Sequence, residues 1–390
     1  METTELIEAI GRGEDSAHQF KEDFKNSASL AAEMVALCNS GGGHIFIGVT
    51  DTGEVSGLTP ADVGRLNQLI SNTASQGMTP AINPRTDNVT HPDGLVMVVT
   101  IPPGITKPYM DKDGVIWVKS GADKRRATSR EEIQRMLQES GLVHGDEIPA
   151  NGLGIADLDM EYFRAFFDRE YDEPLDKQQH SLPVLLKNMN LADEHGTLNV
   201  AGALIFASRP QFRLPVFMVK AVCYPGTEIA EDAYLDSQDI VGKLADVFQK
   251  TLAFILGNLR HPQHTGNVNS EGEPEIPRIA IEEILANALI HRDYFVPAPV
   301  RVFVFAHRLE IVSPGHLPNN LTVENIKNGN SNIRNPILAS FAAKLLPYRG
   351  LGNGVRRVLK LHPHVDFLED RSGNDFKVVL WRPDAEKKAG

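Results

Sequence analysis

The chain has 390 residues, 23% of them charged and 42% hydrophobic, with a formal net charge of −12. At roughly 100–200 residues per domain, that length exceeds one ordinary core and implies two or three domains. The negative balance excludes a protein that coats nucleic acid non-specifically, because phosphate backbones repel an acidic surface, but a local basic patch remains compatible with it.

Residues 4–12 read as a short helix, and 29–38 as a clearer one, with Ser29 as its cap and Glu33 one turn in. That helix stops at Asn39-Ser40-Gly41-Gly42-Gly43, where glycines supply left-handed backbone. Residues 44–49 then read as a strand, Asp51-Thr52-Gly53 as a turn, and 95–101 and 115–118 as further strands. A helix at 129–139 closes the first part. Residues 147–152 have the composition of a linker. Beyond it, 157–195 look helical, 198–206 and 216–224 read as strands, and 240–259 as a long amphipathic helix. A polar loop at 261–273 marks another boundary. The last part reads as helix 279–291, strands 300–305 and 308–312, helices 336–343 and 355–362, and strand 376–381.

Cys38 and Cys223 lie far apart and form no C-x-x-C pair, so reduced, buried thiols are expected. The acidic, polar first residues do not read as a secretory signal. No apolar run approaches the ~20 residues needed to span a bilayer. A cytoplasmic protein without a membrane partner is the expectation.

Several motifs are absent. There is no G-x-x-x-x-G-K-[ST], no zinc-spaced Cys/His set and no H-E-x-x-H. His291-Arg292-Asp293 imitates a kinase catalytic loop, but Ala298 stands where that loop needs Asn, and no D-F-G follows.

Glu283 and Asn287 are four residues apart and so share one helix face. A carboxylate and an amide stacked there can hold a hydrated Mg²⁺ and orient water, although an amphipathic helix produces the same pair by chance. Arg349-Gly350-Leu351-Gly352-Asn353-Gly354 precedes a helix, so backbone N–H groups there can approach an anion closely. The densest basic stretch contains Lys107, Lys112, Lys119, Lys124, Arg125, Arg126 and Arg130, with Asp111, Asp113 and Asp123 interspersed. It reads equally as a solvated surface and as a phosphate-contacting one.

E-x-x-x-N followed by G-x-G-x-G resembles the ATP-binding fold of histidine kinases, gyrase and MutL. The strings A-N-A-L-I-H-R-D-Y, Ile311-Val312-Ser313-Pro314-Gly315-His316-Leu317-Pro318 and Arg334-Asn335-Pro336 resemble its divergent branch, found in bacterial proteins described as transcriptional regulators or RecG-C-terminal-like. The resemblance implies ATP and Mg²⁺ as cofactors. It makes Glu283 the hydrolytic base, Asn287 the metal ligand, and Gly315, Gly350, Gly352 and Gly354 nucleotide-binding positions. The adenine-reading D-x-G-x-G is reduced here, with Ser313 in place of Asp and Leu317 in place of the second Gly.

The first part resembles the AlbA-type DNA-binding domain of Schlafen proteins. The resemblance rests on Gly13-Glu14-Asp15-Ser16, Gln19-Phe20-Lys21, the run from Asn39 to Asp51, Lys107-Pro108-Tyr109 and Val118-Lys119-Ser120-Gly121. Residues 197–210 resemble the segment between the two domains. Some Schlafen proteins cleave RNA with three clustered carboxylates, which hold a metal that activates water. The matching positions are Glu14, Gln19 and Asp51, so the middle carboxylate is an amide, and neither Asp15 nor Asp23 sits at its place. Lys21 together with Lys119, Lys124, Arg125 and Arg126 fits a phosphate-contacting surface.

The expectation is an α+β, multi-domain protein with a Schlafen-like domain at 1–145, a connecting α/β segment at 152–265 and a nucleotide-binding-like domain at 275–385. Its expected function is binding of DNA or RNA in regulation or defence, modulated by nucleotide, with a homo-oligomer as the working form. A metal-dependent ribonuclease and an oligomerising scaffold that binds no nucleotide are the alternatives.

Overall fold

Ile45 and Ile47 are buried on one side of the strand Gly43–Ile47 and Phe46 on the other, so this strand is covered on both faces. It lies inside a four-stranded sheet with His18–Lys21 parallel on one side and Gly94–Ile101, then Arg85–His91, antiparallel on the other. Helices Ser27–Ser40 and Pro60–Gln76 bury Leu30, Met34, Leu37, Leu66 and Ile70 against the isoleucine face. Helix Thr3–Arg12 brings Leu6 and Ala9 to the Phe46 face, beside Phe20 and Val98. A hairpin, Trp117–Ser120 with Asp123–Arg126, and helix Arg130–Glu139, capped by Ser129, complete this unit, Met1–Val143. The computed structural model describes residues 1–229, 233–262, 272–318, 321–350 and 352–383.

The second unit, His144–Gly390, is built on a six-stranded mixed sheet. Its order is Asp236–Ile240, Val219–Cys223, Val300–Val304, Arg308–Pro314, Asp375–Trp381 and Val365–Asp370, and only Val219–Cys223 with Val300–Val304 is parallel. Val300, Val302 and Val304 are buried in one core with Ile281, Ile284 and Leu285 of helix Arg278–Ile290, while the alternate residues Arg301 and Phe303 are only partly buried. Helices Leu244–Asn258, Pro336–Leu345 and Gly354–Leu361 add Phe248, Leu338 and Val358 to that core.

The α+β architecture is as expected, and so are the elements that show clear periodicity. Both cysteines are free and buried. Among the described residues no helix is long and apolar enough to cross a membrane. Four local readings change. Helix Ser27–Ser40 is capped by Asn26, whose side chain accepts from the Ser29 amide at 2.9 Å, rather than by Ser29. The presumed linker is the strand Pro149–Gly154, paired with Thr197–Asn199. The expected strand 198–206 gives way at Asn199, whose side chain accepts from the Gly202 amide at 2.7 Å and starts the buried helix Val200–Phe206. The long helix begins only at Leu244, after the edge strand Asp236–Ile240. The polar loop expected at 261–273 lies, over 263–271, outside the described residues, as does Leu351. The segment 152–265 contributes two strands to the same sheet as 275–385, and both belong to the second compact unit.

Gly43 is where the first sheet is tightest. Its φ is +149°, and a Cβ there would fall 2.3 Å from the Ala17 carbonyl oxygen, which also accepts from the His44 amide at 2.7 Å. Backbone, not a movable side chain, blocks the space. Gly43→Ala is expected to cost the first unit about 1–3 kcal/mol, read from the urea-unfolding midpoint; a wild-type midpoint would contradict this packing.

Candidate functional site

In the first unit Glu14 and Gln19 are hydrogen-bonded to each other, and Asp51 has Lys21 as its partner. Glu14 accepts from the Gln19 side-chain amide and, at 2.7 Å, from the Phe20 backbone amide. Gln19 in turn accepts from the Lys119 ammonium at 2.6 Å, and Lys119 also donates to the Ala122 carbonyl. Burial lowers the pKa of Lys119, with Glu33 and Glu14 opposing the shift. Asp51 is largely exposed and paired with Lys21 at 3.0 Å. Among the described residues no group of three His, Cys, Asp or Glu side chains could hold a metal ion.

The hairpin carries the basic stretch, and most of its cations have partners. Lys124 pairs at 2.5 Å with Glu33, a carboxylate buried in helix Ser27–Ser40. Arg125 makes a two-pronged contact with Glu132 at 2.7 and 3.0 Å. Arg126 lies over the Trp117 ring at 5.3 Å from its centroid, and Lys107 is buried. The exposed Arg125–Glu132 pair is of the kind that contributes little to stability and exchanges readily. Arg125 and Arg126 are exposed, whereas Lys119 and Lys124 hold the fold.

In the second unit the expected residues converge. Glu283, Asn287, Ser313, Gly315, Leu317, Gly350, Gly352 and Gly354 all line one cavity of about 220 Å³. Helix Arg278–Ile290 supplies the first two, the strand Arg308–Pro314 and its continuation supply the next three, and the glycine turn closes the wall. Gly352 has φ +69°, and a Cβ there would lie 2.7 Å from the Gly329 carbonyl oxygen. The Asn287 amide has no hydrogen-bond partner among the described residues. The Ser313 hydroxyl donates instead to the Ala288 carbonyl at 3.0 Å, so it is spent on the helix. Apolar side chains, among them Ile311, Leu317, Phe367 and Val378, line the rest.

Arg357 and Tyr348 lie outside every quoted motif, and His291 and Arg334 lie inside quoted strings that give them no role. Arg357, from the helix after the glycine turn, pairs with Glu283 at 2.9 Å. Burial raises the Glu283 pKa, and Arg357 opposes that shift. His291 is hydrogen-bonded to the Tyr348 hydroxyl at 3.0 Å; desolvation, with help from Arg334, pushes its pKa down to about 4. Arg334 bonds the His291 and His316 carbonyls and so ties two walls together. The available signal was a run of arginines, Arg349, Arg356 and Arg357, around a glycine turn in an acidic chain. Arg292 of the kinase-like triplet is structural: it is buried, donates to the Val296 and Ala298 carbonyls, and packs on Phe217 and Tyr294.

Residues 14–128 match the family model described as Schlafen, AlbA_2. Residues 298–379 match the one described as “Putative ATP-dependent DNA helicase recG C-terminal”. The chain thus carries the architecture expected from its motifs, and an association with nucleic acid goes with it. The second match includes Gly315 and the glycine turn, and begins after the helix that bears Glu283 and Asn287. Among solved structures, the DIP2311 protein from Corynebacterium diphtheriae is similar at 20% identity over 97% of this chain and 80% of that one, with a TM-score of 0.46. The N-terminal domain of “Putative ATP-dependent DNA Helicase RecG-related Protein” from Nitrosomonas europaea is similar at 23% identity over 33% of this chain and 91% of that one, with a TM-score of 0.25. No curated protein matches the chain.

Replacing Arg125 and Arg126 by Ala is expected to weaken binding to unrelated nucleic-acid sequences alike. The slope of log K against log salt should fall by about one unit per lost contact. Unchanged affinity and slope in a salt titration would make the hairpin a solvated surface only.

Proposed function

From this two-part architecture we propose that the chain binds DNA or RNA in a regulatory or defence role, and that its second unit binds a nucleotide with little preference between adenine and guanine. The observation that carries the nucleotide half is the convergence of Glu283, Asn287, Gly350, Gly352 and Gly354 around one cavity. The elements that bear them are separated by more than sixty positions in sequence.

The residues present fit a Mg²⁺–phosphate group. The Asn287 amide oxygen would hold the ion, which would offset phosphate charge when bound. Glycine backbone at 350–354 would let phosphate oxygens come close to N–H groups. The base end is weaker. Ser313 is engaged with Ala288, and Leu317 offers no hydrogen bond. A missing base-edge bond costs about 0.5–1.5 kcal/mol of discrimination. Slow hydrolysis or none is expected in this reading, because a nucleotide held weakly at its base end is poorly positioned for attack.

Ribonuclease activity has less support. Gln19 contributes no charge, Glu14 is engaged with Gln19 and Phe20, and Asp51 pairs with Lys21. Incubation of structured RNA with Mn²⁺ is therefore expected to leave it intact; robust cleavage lost in both Glu14→Ala and Asp51→Ala would overturn this.

Calorimetry with ATP and GTP in Mg²⁺ tests the nucleotide half. Weak binding of both is expected, with affinities within about tenfold of each other, and a clear loss in Asn287→Ala. Tight, ATP-selective binding would mean that another residue reads the adenine. No binding of either would leave the unit as an oligomerising scaffold. An electrophoretic shift with and without nucleotide tests whether one site modulates the other.

A further inference from the structure

We propose that Arg357 is the phosphate-contacting side chain of the cavity, parked on Glu283 until a nucleoside di- or triphosphate draws it away. The inference rests on the nucleotide reading above and adds to it a residue outside every motif.

The two partners of the ion pair differ in freedom. The Glu283 side chain is 8% exposed, whereas that of Arg357 is 40% exposed. Glu283 is fixed by the buried helix Arg278–Ile290. Arg357 has a long, partly solvated stem and can swing while its helix stays in place. Both line the cavity, as do Arg349 and the glycines between them.

The charges around the glycine turn are unbalanced. Arg356 and Arg357 lie in the first turns of helix Gly354–Leu361, whose first turn contains no acidic residue. Cations are disfavoured at that end of a helix, since the exposed N–H groups already carry partial positive charge. Arg356 donates to the Asn328 carbonyl, which offsets no charge. Arg349 is exposed and interacts electrostatically with Glu283. Glu283 therefore faces two cations, Arg357 and Arg349, with Glu282 as the neighbouring acid, itself paired with Arg278. A phosphate chain would complete the balance that Glu283 alone leaves unfinished.

Exchange of partners is favourable in kind. A guanidinium binds phosphate through two parallel N–H bonds, as it binds carboxylate, and a di- or triphosphate brings more charge than Glu283 does. A neutral nucleoside offers nothing for which Arg357 would leave.

The experiment is calorimetric titration of the full chain with adenosine, ADP and ATP in Mg²⁺, for wild type, Arg357→Gln and Arg357→Lys. Wild type is expected to bind ADP and ATP more tightly than adenosine. Arg357→Gln should lose roughly ten- to hundred-fold in affinity for ADP and ATP while leaving adenosine unchanged. Arg357→Lys, which keeps the charge but not the fork, should fall between, and it carries the test if the glutamine variant does not fold. Wild-type affinity of both variants for ADP and ATP would overturn the proposal and leave Arg357 as a counter-ion. Equal loss for adenosine and the phosphorylated ligands would overturn it too, by making Arg357 part of the cavity wall. Failure of wild type to bind any of the three would defeat the nucleotide reading itself.

Discussion

The second unit depends on how closely one helix start approaches another helix. A Cβ at Gly354 would fall 2.4 Å from the Glu283 Oε2 and 3.7 Å from the Asn287 side-chain nitrogen. Any larger residue there would push the end of that carboxylate aside. Because glycine stands there, a carboxylate, an amide, a guanidinium and backbone N–H groups share one wall. The sheet supplies the opposite side through Ile311, Ser313 and Val378. Chemistry and packing are thus the same contact in this unit, which is why its cavity contains a buried acid with its own counter-ion.

The first unit handles charge differently. Its polar groups are threaded into one chain of contacts, from Glu14 through Gln19 to Lys119, with Lys124 and the buried Glu33 beside it. An ammonium stands against Gln19. Buried charges of this kind cost desolvation and persist where they are paired. Lys119 therefore pins the hairpin to strand His18–Lys21, and Lys124 pins it to helix Ser27–Ser40. Arg125 and Arg126 lie outside these contacts, at the surface.

Much of this was legible in the residues, for reasons that differ by element. Strand Val300–Val304 shows its period, and the motif residues on helix Arg278–Ile290 indicate a common site once the glycine turn is recognised. Helix Val200–Phe206 was misread because all of its residues are buried, and an apolar run without a period looks like a strand. Strand His18–Lys21 is short and lies at a sheet edge, and Val365–Asp370 alternates polar residues with few apolar ones, so neither stands out. The merging of 152–265 with the last part is a pairing of Val219–Cys223 with Val300–Val304, a register between distant strands that composition does not reveal. Arg357 was invisible for the same reason: its meaning lies in Glu283, seventy-four positions away.

A crystal structure of the full chain with ADP or a non-hydrolysable ATP analogue and Mg²⁺ tests the central claim most directly. The account predicts phosphates against Gly350–Gly354 backbone, metal on Asn287, and the Arg357 guanidinium turned from Glu283 onto a phosphate. A ligand seated elsewhere, or phosphates bound with the Arg357–Glu283 pair still at its present 2.9 Å, would contradict it.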